Sequence, residues 1–315
     1  MSSSGTSDLG SILEEIAAEI SAHAAEIEAS ADAKESGLEP GPFGIAVTTI
    51  DGETFCGGRA DTPFPLQSIA KVFTLEIVLC AMGEQIFKRV GREPSGDPFN
   101  SIIDLERTRG IPRNPFVNAG ALVTVDAMIE AGCARGAVTD LVKRELGRNV
   151  SLDRAVLASE DEGGDLNRAM LSFMRHHDNL RSKPDDVMSA YVRQCAISLD
   201  VAELSQASLF LARTRRDGGT EDCQRAMRMR KLLALMMTCG HYDGSGDFAL
   251  RVGLPAKSGV GGGILAVVPE VASIAVWSPN LDQHGNSILG VRALEMLVHH
   301  TGWSVFGPPA PRHNS

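Results

Sequence analysis

Ser68 and Lys71 stand three residues apart in Gln67-Ser68-Ile69-Ala70-Lys71, and the apolar stretch toward Phe87 reads as a helix opening just after Pro63 and Pro65. At i and i+3 on a helix, the hydroxyl and the amine share a face. The amine can then take the hydroxyl proton, and the positive end of the helix favours negative charge on the oxygen. That is the chemistry of an activated serine nucleophile. S-x-x-K also describes an N-cap serine followed by a surface lysine, so the pair needs a second signal. Lys257-Ser258-Gly259 supplies it, just before Val260-Gly-Gly-Gly-Ile264, on a stretch that reads as the opening of a strand. Glycines there let a substrate approach the backbone, whose N–H groups can hold the oxyanion of a tetrahedral intermediate. A phosphate loop is excluded by spacing, because Ala256 occupies the position where G-x-x-x-x-G-K-[ST] requires glycine.

An S-x-x-K helix upstream of a K-[ST]-G strand is the signature set of serine β-lactamases and penicillin-binding proteins. A lysine works as a base near neutral pH only where burial or a neighbouring cation disfavours its ammonium, and Lys71 sits in an apolar run. A second hydroxyl could relay protons. The chain has two tyrosines, Tyr191 in Tyr-Val-Arg-Gln-Cys195 and Tyr242 in Cys-Gly-His-Tyr-Asp-Gly-Ser-Gly246. Metal chemistry is not indicated: His176-His177 and His299-His300 are adjacent pairs that face different ways on a helix, and no H-E-x-x-H occurs.

The elements that must hold these groups fall into three blocks. Ile12, Ile16, Ile20 and Ala24 recur every four residues and predict an amphipathic helix to about Ile27. Phe43–Ile50 and Glu53–Gly57 read as two antiparallel strands joined through Asp51-Gly52. The middle, about 68 to 240, is helix-like. Phe248–Val252, Gly263–Val268 and Val271–Ser278 then return to strand character, before helical periodicity over Ile288–His300. Strands at both ends of the chain around a helical middle predict an α/β domain of residues 10–66 and 241–302 with a helical domain, 67–240, inserted between them. Residues 1–9 and 307–315, rich in Ser, Gly and Pro, read as flexible tails.

Composition narrows the function. A chain of 315 residues with 43% hydrophobic content is an ordinary globular protein, and its net charge of −10 opposes nucleic acid as a partner. The basic run Arg225, Arg228, Arg230 and Lys231 reads as a solvated helix face. Six cysteines without C-x-x-C spacing and an N-terminus without a signal peptide point to the cytoplasm, and no apolar run reaches the length of a membrane span.

Three polar segments complete the inventory: Gly91–Asn100, Pro112–Gly120 and Glu160–Asn167. Together with QSIAK, YVRQC, CGHYDGSG and LPAKSGVGGGI, in this order, they make the chain resemble the bacterial and mitochondrial glutaminase family from about Phe43 to Gly302. The resemblance implies a β-lactamase-like α/β (α+β) fold, an antiparallel sheet domain with an inserted all-α domain. It implies hydrolysis of L-glutamine to L-glutamate and ammonia through a Ser68 acyl-enzyme, without cofactor or metal, in a homotetramer. Catalytic roles carry over to Ser68, Lys71, Tyr191 and Tyr242, and a substrate shell to Ser68, Asn118, Glu160, Asn167, Tyr191, Tyr242 and Val260. The backbone N–H groups of Ser68 and Val260 would form the oxyanion hole. One departure stands out. The family's Tyr-Ile-Pro stretch, whose tyrosine lines the site, is replaced near there by Ala-Ala-Glu-Ile-Glu-Ala at 24–29. The alternatives are a β-lactamase or penicillin-binding-type hydrolase and a catalytically silent amino-acid-binding protein of the same fold.

Overall fold

The computed structural model describes residues 6–34, 39–96, 101–215 and 219–307. Five strands form one antiparallel sheet: β1 (Gly44–Thr49), β2 (Thr54–Gly58), β6 (Ala256–Ser258), β7 (Gly263–Val268) and β8 (Ala272–Trp277), in the order β2-β1-β8-β7-β6. Strands β3 (Phe64–Pro65), β4 (Ser151–Leu152) and β5 (Ile197–Leu199) make a second, three-stranded sheet that the sequence reading did not foresee. Runs of two or three residues carry too little pattern to be seen.

Alternation along the large strands feeds two cores. Ile45 and Val47 on β1, Ile264 and Ala266 on β7, and Ile274 and Val276 on β8 pack with α1 (Thr6–Ser30) and α12 (Ile288–Thr301). Ala46, Leu265, Val267 and Ala275, pointing the other way, join the core of the helical region. With both faces covered, these strands read as nearly continuous apolar runs rather than alternating ones. Helix α1 lays Leu9, Leu13, Ile16 and Ile20 against β2 and α12.

The helical region comprises α2 (Ala70–Met82), α3 (Ile103–Arg107), α4 (Asn118–Glu130), α5 (Ala137–Leu146), α6 (Arg154–Gly163), α7 (Asp165–His176), α8 (Pro184–Cys195), α9 (Val201–Ala207) and α10 (Thr220–Cys239). Helix α2 is apolar nearly all round because α4, α5 and α10 pack around it. Helix α9 lies on β1 and β8, so it belongs structurally to the far face of the large sheet.

Three expectations need correction. Residues 248–252 lie in and just after a helix, α11 (Ser245–Arg251), not a strand: Phe248 and Val252 are buried at i and i+4 while Leu250 is 86% exposed. Apolar content alone could not separate the two periods. Residues 6–9 belong to α1, with Leu9 in its core, rather than to a tail, while residues 1–5 and 308–315 fall outside the described residues. Lys257 and Ser258 end a three-residue strand, and the chain turns before β7 begins.

Candidate active site

Ser68 sits in a 3-10 turn, Gln67–Ile69, that leads directly into α2. The turn is pinned from behind, because the Leu66 N–H donates to the Ile197 carbonyl of β5 at 2.8 Å. Gln67 is held at φ 48°, a left-handed conformation that costs a non-glycine residue on the order of 1–2 kcal/mol. Lys71 lies in the first turn of α2 and is wholly buried.

The Lys71 Nζ donates to the Phe116 carbonyl at 3.0 Å and to Asn118 Oδ1 at 2.8 Å. Asn118 opens α4 and passes a weaker bond on, its Nδ2 donating to Asn167 Oδ1 of α7 at 3.3 Å. The loop before α4 is set by Asn114, whose Oδ1 accepts the N–H groups of Phe116 at 2.9 Å and Val117 at 3.1 Å. That turn aims the Phe116 carbonyl at Lys71.

On the other side stands β6. A Cβ built on Gly259 would lie 2.7 Å from the Leu66 carbonyl oxygen and 3.5 Å from the Ser68 nitrogen. Only glycine allows the end of the Lys-Ser-Gly strand to press this closely on the Ser68 turn. Lys257 is wholly buried, and its Nζ donates to the carbonyls of Gly240 at 3.0 Å and Ser258 at 2.5 Å. Burial, and then the charge of Lys71, push its pKa well below the ordinary lysine range. Two lysines share one dry region.

Tyr242 follows α10 on a short turn, held at φ 54° with the Lys257 Nζ 4.3 Å above its ring centroid. Its hydroxyl engages Ser68 and Ser258, and it donates to the Ser258 carbonyl at 3.4 Å. Part of the residue reaches solvent, yet burial around the hydroxyl pushes its pKa up to about 12, against the pull of its bond to Ser68. At neutral pH it is a phenol that can donate a proton. Tyr191 is buried on α8, which packs against the Ser68 turn. Cys195, one helical turn further on, lies near enough to Tyr242 to raise its pKa as well.

The fold therefore gathers Ser68, Lys71, Asn118, Asn167, Tyr242, Lys257, Ser258 and Gly259 into one connected set. Val260 is 37% exposed beside the same turn, its Cγ1 3.6 Å and the Tyr242 Cε2 3.7 Å from where a Gly285 Cβ would be. Glu160 lies in α6, its side chain outside the described residues. The sequence reading missed the Phe116 carbonyl and the loop around Gly285. A carbonyl has no side-chain signature, and Asp282-Gln-His-Gly-Asn-Ser287 looks like an ordinary turn. The end of α1 presents Glu28, whose carboxylate accepts from Asn280 Nδ2 at 2.7 Å and from the Gly41 N–H at 3.3 Å.

A model of the glutaminase family matches residues 34–306 of this chain. The chain belongs to the glutaminase family. A glutaminase of Agrobacterium fabrum is 52% identical over 277 residues, covering 86% of this chain and 89% of that one. A thermolabile glutaminase of Rhizobium etli is 50% identical over 275 residues, with the same coverage of 86% and 89%. Among solved structures, a probable glutaminase of Bacillus subtilis superposes with a TM-score of 0.81 at 28% identity, covering 93% of this chain and 97% of its own. The probable glutaminase ybaS gives 0.77 at 33% identity, over 92% and 99%. This glutaminase-family chain thus has the β-lactamase-like fold, and it is a serine-dependent amidohydrolase. The family match begins at residue 34, after residues 24–29. Among the described residues no helix is long and apolar enough to cross a membrane.

Proposed function

We propose that this enzyme hydrolyses the side-chain amide of L-glutamine through an ester on Ser68, giving L-glutamate and ammonia. The Lys71 amine takes the Ser68 proton while Oγ bonds to the amide carbon, and the carbonyl electron pair moves onto oxygen. The N–H groups of Ser68 and Val260 hold that oxyanion. The C–N bond breaks as the leaving nitrogen receives a proton from Tyr242, and ammonia departs. Water then adds to the ester as the Tyr242 phenolate takes its proton, and the intermediate collapses with Ser68 Oγ recovering the proton held by Lys71 as glutamate leaves. A phenol that stays protonated up to about 12 is suited to the donor step.

One observation carries the reading: the Lys-Ser-Gly strand end sits so close to the Ser68 turn that no Cβ fits at Gly259. Nucleophile, buried amines and phenol are thereby brought into one neighbourhood. Asn118, Asn167 and Tyr191 complete the substrate shell, with Glu160 taking the substrate ammonium. Lys257 and Ser258 support the centre from β6. We assign residues 10–66 with 241–302 to the sheet domain and 67–240 to the helical domain. The location is the cytoplasm, which suits six free cysteines, and the assembly a homotetramer, on the family resemblance.

The test is ammonia release from purified protein with a panel of amides that includes glutamine and asparagine, beside a chromogenic β-lactam. Glutamine should be turned over and the β-lactam left intact, with the Ser68→Ala variant at least about 10⁴-fold slower. An inactive wild type, or a Ser68→Ala variant with full activity, defeats the assignment.

A further inference from the structure

The loop that begins at Asp282 is built around one carboxylate. Asp282 Oδ1 accepts the backbone N–H groups of His284 at 2.9 Å and Asn286 at 2.8 Å, and the loop closes with the Asp282 N–H donating to the Asn286 carbonyl at 2.8 Å. The Asn286 side chain, 3% exposed, points its Nδ2 at the Asp282 carboxylate, 3.3 Å from Oδ2. A carboxylate only accepts, so the amide of Asn286 is oriented, and its Oδ1 faces the opposite way. There it meets Ser258 Oγ at 2.6 Å. An amide oxygen cannot donate, so Ser258 must spend its proton on Asn286 and present only lone pairs to the reaction centre. The same loop also touches the site directly. Gly285 sits at φ 92°, where any other residue would be strained, and a Cβ there would lie 3.6 Å from Val260 Cγ1 and 3.7 Å from Tyr242 Cε2.

We propose that Asn286 is a positioning residue for the hydrolysis: held by Asp282, it takes the Ser258 Oγ proton and so fixes that hydroxyl as an acceptor on the residue whose carbonyl receives the Tyr242 phenol. The proposal rests on the Ser68 reading above. In a wrong rotamer, Ser258 would offer a competing donor to Tyr242, and the proton path through the phenol would be broken. Because Asn286 touches no substrate in this arrangement, its loss acts on kcat rather than on KM.

A cycle of variants tests it by ammonia release. Asn286→Ala should lower kcat at least tenfold with KM within threefold, and should cost less than twofold when added to Ser258→Ala. Asn286→Asp alone, which sets two carboxylates together, should be slow. The exchange Asp282→Asn with Asn286→Asp restores an amide-to-carboxylate pair and an acceptor for Ser258, and should recover most of the rate. Should Asn286→Ala fail to fold, the comparison of Asn286→Asp with the exchange decides alone. A kcat within twofold of wild type for Asn286→Ala, losses that multiply with Ser258→Ala, or an exchange no faster than Asn286→Asp overturns the proposal. If Ser68→Ala remains active in the same assay, the Ser68 reading has failed instead.

Discussion

The two sides of the site are assembled differently. On one, Ser68 and Lys71 come from a single turn of chain, and their offset is fixed by local helical geometry. On the other, Tyr242, the Lys257–Gly259 strand end and the 282–286 loop come from three stretches that only the folded sheet brings together. The first side is a motif, and the second is a meeting. A local motif survives small changes in packing, whereas the assembled side depends on every contact that sets its spacing. Strain follows the same division only in part, since Gln67 and Tyr242, one on each side, are both held in left-handed backbone conformations. Each side stores some backbone strain next to a reacting group.

If both sides are needed together, Lys71→Ala and Lys257→Met should each lower kcat by about 10³-fold, the middle of the range for a proton-transfer group. Their losses should not multiply, because the two amines act through one charge balance. Multiplying losses in the double variant would mean that the lysines work independently.

Gly259→Ala sharpens the contrast. It forces a Cβ to within 2.7 Å of the Leu66 carbonyl oxygen and must spread the strand end from the Ser68 turn. A loss of about 10²-fold in kcat/KM is expected, since a displacement near 1 Å costs that much. Wild-type kinetics in this variant would show that the approach is not required.

The smallest effect concerns stability. His241 is buried and stacked on Phe248, and its Nε2 has no hydrogen-bond partner among the described residues. Burial, then the charge of Lys257, hold its pKa well below the ordinary value of 6.5. The unfolded chain therefore takes up a proton below about pH 6.5 that the folded protein refuses, so stability present above that pH is lost as pH falls. Between pH 7.5 and 5.5 urea unfolding should lose about 1.4 kcal/mol more in wild type than in His241→Met. Equal losses would mean that this histidine is charged in the folded state.

Much of this was legible beforehand. QSIAK and LPAKSG announce serine chemistry because their residue types and spacings are themselves the signal, and the β1–β2 hairpin shows in its strand runs around Asp51-Gly52. Residues 248–252 misled because four apolar residues in a row of five fit either period, and the burial of Phe248 and Val252 together with exposed Leu250 emerges only when α11 packs. Asn286 was invisible because its importance lies in which way its amide faces, and that is decided by Asp282 and Ser258, 4 and 28 residues away.

The sequence alone determined most of the long elements, the pairing of a hydroxyl with an amine one turn apart, and the family of chemistry, because those depend on backbone geometry within a few residues. The tertiary structure decided how near Gly259 comes to Ser68, that two lysines are buried together, that Tyr242 stays protonated, and which way Ser258 points. Those are effects of desolvation and of hydrogen-bond direction. Both arise only when segments far apart in the chain exclude water from the same small volume.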